Sequence, residues 1–364
     1  MPIIAHSALP TFARLAAEGC AVLPPERAAR QDIRELHIGL LNMMPDAALG
    51  ATERQFFRLV GDSNQIAQFR LHPFTLPEIP RGRAAAAHIA RYYESFADLR
   101  AEGLDALIVT GANVTHPELS REAFWGPLQE AMDWAWENVT STLCSCLATH
   151  AVLQFRHGQG RSALPEGKLW GVFPHKVTTP DHPLVRGMNT RFDAPHSRWN
   201  QVTAAQFADA GMTVLAAGDV GAHLAVSADG LRTVCLQGHP EYDTVSLLKE
   251  YKREVGRYGR GERGDYPPLP EGYVGAEGAP VLEAYRARVH PGATLPPFPE
   301  EEAAVALDNT WRDSARTLVG NWIGLVYQVT GMDRRRPFMD GVDPADPLGL
   351  RARRPKKNAP GRQK

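Results

Sequence analysis

The stretch TSTLCSCLATHAVLQF, residues 140–155, reads in two halves. Thr140 to Cys146 is a short apolar run of strand length, and the residues that follow, to Phe155, continue as a helix. Cys146 stands at the joint. A strand that runs directly into a helix carries its last residue to the edge of a sheet and to the amino end of the helix. There the backbone N–H groups lack intrahelical acceptors and carry about half a positive charge. Ser145 before the thiol and Ala148 two residues after it are small enough for a tight strand-to-helix elbow.

Working outward, three more segments have the character of buried strands: LHIGLLNMM from Leu36, LDALIVTGA from Leu104 and LRTVCLQG from Leu231. Helical patterns separate them. In WGPLQEAMDWAWENV, from Trp125, Leu128, Met132 and Trp136 recur every four residues and share one face. Strand and helix alternating over about 200 residues predict an α/β fold, a mostly parallel sheet flanked by helices, with functional groups at the carboxyl ends of the strands. Cys146, the loop after LIVTGA and the segment GHPEYD from Gly238 all fall at such ends.

A helix is predicted over TVSLLKEYKREVGRY, from Thr244, and beyond it residues 264–300 hold eight of the 29 prolines and are predicted irregular or extended. NTWRDSARTLVGNWIGLVYQVT, from Asn309, is helical again, with Leu318, Trp322 and Val326 at fourfold spacing. No internal repeat is visible. The organisation expected is an N-terminal extension, residues 1–35, then one domain over 36–332 with the proline-rich segment inside it. Residues 333–364 form a basic tail, whose last fourteen carry seven Lys or Arg and no acid, and are expected to be disordered.

The bulk composition narrows the function. Hydrophobic residues make up 43% and charged residues 22% of the 364, an ordinary globular mix. Forty basic against 41 acidic side chains leave a formal charge of −1, which provides no global field for nucleic acid or an anionic membrane. Four cysteines are too few for a disulfide framework at this length, so reduced thiols are expected. The N-terminus has no basic residue before Arg14 and no long apolar core, and no apolar run reads as a membrane span. A cytoplasmic enzyme is the expectation.

A free thiol is only a few per cent thiolate at neutral pH, so a nucleophilic Cys146 needs help. The helix end is one source, and its N–H groups are also placed to receive an oxyanion. A base is the other. His239 in GHPEYD has Glu241 two residues on; in extended or loop backbone the two side chains fall on one side, so the carboxylate can fix the imidazole tautomer while the other nitrogen faces the thiol. The bland alternatives are a buried structural cysteine and a polar loop histidine. His150, one helical turn beyond Cys146, is a rival base or simply a polar helix residue. Cys144, Cys146 and His150 do not have usual zinc spacing, and no metal is expected.

Five motifs, STLCSCLATHAV, LIVTGANV, DAPHSRW, GHPEYD and NWIGLVYQVT, together with LNMMPDAALGATERQFFRLVGD, closely resemble the homoserine O-succinyltransferase/O-acetyltransferase family of methionine biosynthesis. They follow in the same order, from about Leu36 to Met332. The resemblance implies a class I glutamine amidotransferase-like fold turned to acyl transfer, with Cys146 as the nucleophile, His239 as general base and acid, and Glu241 as its orienting partner. It implies substrate contacts from Lys168 in EGKLWG, Ser197 in APHSRW and Arg253. It also implies acyl-CoA as co-substrate with no bound cofactor, and L-homoserine as acceptor.

In that family the position three residues after TGA tends to be Gly in succinyl-transferring members and Glu in acetyl-transferring ones. Here it is Thr115, which adds no charge to repel the distal carboxylate of a succinyl group, so succinyl-CoA is the expected donor and acetyl-CoA the alternative. A glutamine amidotransferase would use the same triad, but no synthetase domain or nucleotide-binding glycine loop follows. Trp and Tyr near the C-terminal helix, if exposed, would suit a homodimer interface.

Overall fold

The computed structural model describes residues 3–30, 33–64 and 66–351. Its strands, in chain order, are β1 (Ile3–Ile4), β2 (Val22–Leu23), β3 (Glu35–Leu41), β4 (Gln68–Phe74), β5 (Ala106–Val109), β6 (Ser141–Ser145), β7 (Ser162–Ala163), β8 (Leu169–Val177), β9 (Arg191–Arg198), β10 (Asn200–Gln201), β11 (Thr213–Gly218), β12 (Gly221–Val226) and β13 (Thr233–Leu236). All but β7 and β10 join one sheet, in the order β2-β1-β4-β3-β5-β6-β13-β12-β11-β8-β9; β7 and β10 form a small separate ribbon.

From β2 to β13 every pairing is parallel. From β13 to β9 every pairing is antiparallel. Six of ten pairings are therefore parallel, and the change of sense falls at β13, beside the elbow strand β6. The four strands expected from sequence lie in the parallel half as β3, β5, β6 and β13.

Alternation along the central strands divides the apolar side chains between two layers. Ala106, Ile108 and Leu143 face a core that includes Phe56, Phe57, Leu318 and Trp322, from the helices Asp46–Asp62 and Arg312–Val329. Leu107, Val109 and Cys144 face the opposite core, with Leu128 and Met132 of the helix Trp125–Asn138 and Ala148, Ala151 and Val152 of the elbow helix Leu147–His157. A third apolar cluster, around Trp170, Tyr251, Tyr285 and Trp311, backs the antiparallel end of the sheet against the helix Ser246–Gly259.

Several local readings need correction. The proline-rich segment contains the helix Gly278–Arg286. Pro280 sits in its first turn, where the missing N–H has no intrahelical acceptor to lose. The residues set apart as an N-terminal extension supply β1 and β2 to the sheet, and those assigned to the tail are joined to the same body at least to Leu348. Phe338 is buried in the core, with Val342 and Leu348 packed against it, and Pro337 accepts a hydrogen bond from Thr140. Residues 352–364 lie outside the described residues. Trp311 and Trp322 are buried, so the exposed tryptophans invoked for an interface are absent from this helix; Tyr327 is partly exposed, with Arg34 over its ring. No helix among the described residues is long and apolar enough to cross a membrane.

Candidate active site

The parallel pairing of β6 with β13 sets Ser145 opposite Leu236. Cys146 and the Gly238–His239 turn therefore leave neighbouring strands at one carboxyl edge. Three hydrogen bonds fasten the joint. The Cys146 N–H donates to the Leu236 carbonyl at 2.7 Å. The Thr149 hydroxyl donates to the Cys144 carbonyl at 2.8 Å and accepts the Leu236 N–H at 3.1 Å. Cys146 itself has φ 53°, and no other non-glycine residue among those described has positive φ. Such a conformation costs on the order of 1–3 kcal/mol and persists only where its surroundings enforce it.

His239 Nδ1 lies 2.8 Å from Glu241 Oε1, and the Cys146 sulfur is near enough to act on the imidazole electrostatically. Nδ1 is thus committed to the carboxylate and Nε2 is left for the sulfur. Burial alone would lower the histidine, but the Glu241 carboxylate and the Cys146 sulfur outweigh it and raise the imidazolium well above its ordinary value. A histidine whose affinity for protons is raised beside a thiol is suited to take the thiol's proton. Glu241 is buried, and its Oε2 has no hydrogen-bond partner among the described residues.

The base is held from both sides. The His239 backbone N–H donates to the Pro195 carbonyl at 2.8 Å, and the ring of Tyr242 stacks on the imidazole, centroids 4.4 Å apart. Asp243, next in the chain, is clamped by Arg54 and Arg58 of the helix Asp46–Asp62, which gives GATERQFFRLVGD its part in the site. Gly238 is required by close approach: a Cβ there would lie 2.8 Å from the Pro195 carbonyl oxygen and 2.9 Å from ring nitrogens of His196 and His223.

On the opposite side of the thiol, Gly111 faces the elbow, with the space for its Cβ 3.8 Å from Cys146 Cβ and 4.0 Å from the Leu147 nitrogen. Leu147 opens the elbow helix, so its N–H has no acceptor within that helix. The Cys146 N–H, by contrast, is already taken by Leu236. An oxyanion placed here meets the first-turn amides and the Gly111 loop, and buried Arg198 adds positive charge close enough to act on Cys146.

The remaining residues singled out from sequence divide. Lys168, just before β8, and Ser197, on β9, converge on one carboxylate, Glu250. Lys168 Nζ is 3.3 Å from Glu250 Oε2, and the Ser197 hydroxyl donates to the same oxygen at 2.7 Å. Arg253, one turn further along the helix Ser246–Gly259, has a side chain 51% exposed, with Nε 3.4 Å from Glu254. Thr115 is exposed on the loop after β5. Its backbone N–H and that of His116 donate to Glu122 Oε1 at 2.6 and 2.7 Å.

His150 is not at the thiol's base position. It is buried, hydrogen-bonded through Nε2 to Gln237 Oε1 at 3.2 Å, and burial pushes it down to about 3. Cys144 is buried beside Cys235, its register partner on β13. Two groups of described residues bring potential metal-ligand atoms within 4.8 Å of one another, His175 with His196 and His223, and His6 with His72 and Glu94. Neither includes a residue of the Cys146–His239–Glu241 constellation.

Sequence reasoning passed over Glu250, Tyr242, Glu122 and Gly111. For Glu250 a signal existed. It lies three residues beyond Leu247 and one before Tyr251, both buried, and so at the margin of the helix face that packs inward.

Residues 2–332 match the family model described as homoserine O-succinyltransferase. A homoserine O-succinyltransferase of Allochromatium vinosum is 61% identical over 96% of this chain and 99% of its own. One of Thiobacillus denitrificans is 62% identical over 96% of this chain and 100% of its own. Among solved structures, a glutamine amidotransferase from Thermotoga maritima is similar with TM-score 0.46 and 10% identity, covering 80% of this chain and 98% of that one. With a family model spanning nearly the whole folded body and relatives this similar end to end, the chain belongs to the homoserine O-succinyltransferase family.

Proposed function

We propose that the chain transfers the succinyl group of succinyl-CoA to the side-chain hydroxyl of L-homoserine through a thioester on Cys146. One observation carries the reading: a thiol forced into a left-handed backbone conformation at a strand–helix joint, within electrostatic reach of an imidazole whose Nδ1 is 2.8 Å from a buried carboxylate.

The Cys146 thiolate attacks the acyl-CoA carbonyl, and the oxyanion is received by the N–H groups that open the elbow helix. As the tetrahedral species collapses, the C–S bond to CoA breaks and His239 delivers a proton to the departing sulfur. Homoserine then enters. His239 takes the proton of its hydroxyl while that oxygen attacks the thioester carbonyl, and Cys146 leaves as thiolate with the O-acyl ester released. Glu241 holds the imidazole in one tautomer throughout and offsets its charge.

Lys168, Ser197 and Arg253 are assigned to the amino-acid acceptor, with Arg253 suited to bidentate contact with its carboxylate. Thr115 is assigned to the acyl end. Glu122, which adjoins it, is engaged by backbone N–H groups of the loop and by the Thr115 hydroxyl, and residue 115 itself contributes no charge against a succinyl group.

Incubation with succinyl-CoA and no acceptor is expected to raise the intact mass by one succinyl group, located on Cys146 by peptide mapping and absent in Cys146→Ser. No mass increase, or an increase that survives in Cys146→Ser, would refute the reading. A panel of acyl donors compared by kcat/KM is expected to favour succinyl-CoA over acetyl-CoA.

A further inference from the structure

Glu250 is the most heavily engaged carboxylate near the site. Besides Lys168 and Ser197, its Oε2 accepts the Trp170 indole N–H at 3.0 Å, and its Oε1 accepts the Tyr242 hydroxyl at 2.8 Å. Its side chain is 13% exposed. Four donors from three separate parts of the chain thus close on one carboxylate: β8 with the residue before it, β9, and the loop after β13. A buried carboxylate is tolerated only when it is hydrogen-bonded and paired in this way.

Two of the four donors, Lys168 and Ser197, are the side chains assigned above to the acceptor, and a third, Tyr242, is stacked on His239. Lys168 lies 4.3 Å above the Trp170 ring, so the ring and the carboxylate together fix the ammonium in place. A lysine stem is flexible, and ordering it in advance removes an entropic cost from substrate binding.

We infer that Glu250 is a positioning residue for the acceptor half of the reaction, holding Lys168 and Ser197 in the geometry that receives the amino acid. The inference rests on the function proposed above. Glu250 touches neither the thiol nor, in this assignment, the reacting hydroxyl; it acts through the two side chains it holds.

Charge supplies a readout that simple packing would not. Burial pushes the Lys168 ammonium below its ordinary value, Arg253 pushes it the same way, and Glu250 and Glu254 pull it back. On the carboxylate, burial acts upward but is outweighed by Lys168, by the Ser197 and Tyr242 hydroxyls and by His239, which hold it below the usual range. Glu250→Gln keeps the shape and one acceptor oxygen but removes the strongest support for the lysine's charge. Lys168 then loses its proton at lower pH than in the parent.

The experiment compares the parent enzyme with Glu250→Gln in each half-reaction. Thioester formation from succinyl-CoA is expected to stay within about twofold, while KM for homoserine rises about tenfold or more, the usual scale for losing a hydrogen-bonded charge. The rise in KM with increasing pH is expected to begin at lower pH in Glu250→Gln, and Glu250→Asp is expected to recover part of the loss. In a double variant with Lys168→Gln, the two losses should overlap rather than multiply.

An unchanged homoserine KM with an unchanged pH profile overturns the inference. So does a loss confined to thioester formation, which would place Glu250 in the nucleophile's machinery instead. Should Glu250→Gln fail to fold, Glu250→Asp carries the same comparison, again with an unchanged KM as the refuting result. If the parent forms no thioester, the proposed function itself fails, and that outcome is distinct from any difference between parent and variant.

Discussion

At the residue scale, the imidazole of His239 is defined by what stands at each of its nitrogens. Glu241 occupies one side and the Cys146 sulfur the other. Glu241→Gln keeps the shape but removes the charge that fixes the tautomer and supports the imidazolium. A fall in kcat of about 10²-fold or more is expected, with the acid limb of the rate profile displaced, since general acid–base catalysis by a positioned side chain contributes about 10²–10⁴. Steady-state kinetics from pH 5 to 9 check this, and a kcat within twofold of the parent would refute the role given to Glu241. Cys146 was legible in the sequence because a strand running straight into a helix fixes where its last residue must stand. Glu250 was not. It is one charge among Lys249, Lys252 and Arg253 on an amphipathic helix, and what separates it from them is which side of the helix meets β8 and β9, a fact of tertiary packing that periodicity does not contain.

At the scale of elements, the helix Arg312–Val329 does more than cover one face. Trp322, with no exposed surface, donates its indole N–H at 2.8 Å to the Ser141 hydroxyl at the start of the elbow strand, and that hydroxyl donates in turn to the Leu231 carbonyl before β13. Trp322→Ala is expected to destabilise the protein by about 3–5 kcal/mol, from the cavity and the hydroxyl left without its donor. Urea unfolding followed by fluorescence or circular dichroism measures it, and a loss under about 1 kcal/mol would show that the helix is dispensable to this core. The periodicity of this helix, and of the buried strands β3, β5, β6 and β13, could be read directly because each has one dominant environment. The antiparallel strands β8, β9, β11 and β12 had no such signature. β8 and β9 carry prolines, histidines and charges within their runs, and β11 and β12 are built largely of alanine and glycine, so neither pair repeats at period two. A proline-rich composition likewise hid the helix Gly278–Arg286, whose single proline sits where a helix accepts one.

For the whole molecule, buried histidines set the response to acid. His175 and His182 are pushed by burial down to about 4, His150 to about 3, and His196 and His223 well below the ordinary 6.5. These rings stay neutral in the folded protein while the unfolded chain protonates them below pH ~6.5, so the unfolded state binds more protons and stability falls as pH drops. His239 has the opposite sign. Its raised value gives stability that is complete below its unfolded pKa and is lost as pH climbs through the folded one. With His37 and His157, which burial also lowers, seven depressed histidines outnumber one raised one, so the melting temperature is expected to be lower at pH 5 than at pH 7. A flat or rising profile would refute this balance. The sequence displays the histidines but not their enclosure, which for His175, His196 and His223 arises only when β8, β9, β12 and the Gly238 turn close on one another.

The register between β6 and β13 has a last mechanical implication. Sulfur and imidazole follow adjacent strands joined by backbone hydrogen bonds right up to the joint, so they travel as one rigid body. A hinge running between them would have to unzip the middle of the sheet. Entry of a bulky donor and escape of its spent carrier therefore fall to whatever surrounds the paired strands, which keep the reacting atoms in range through every cycle.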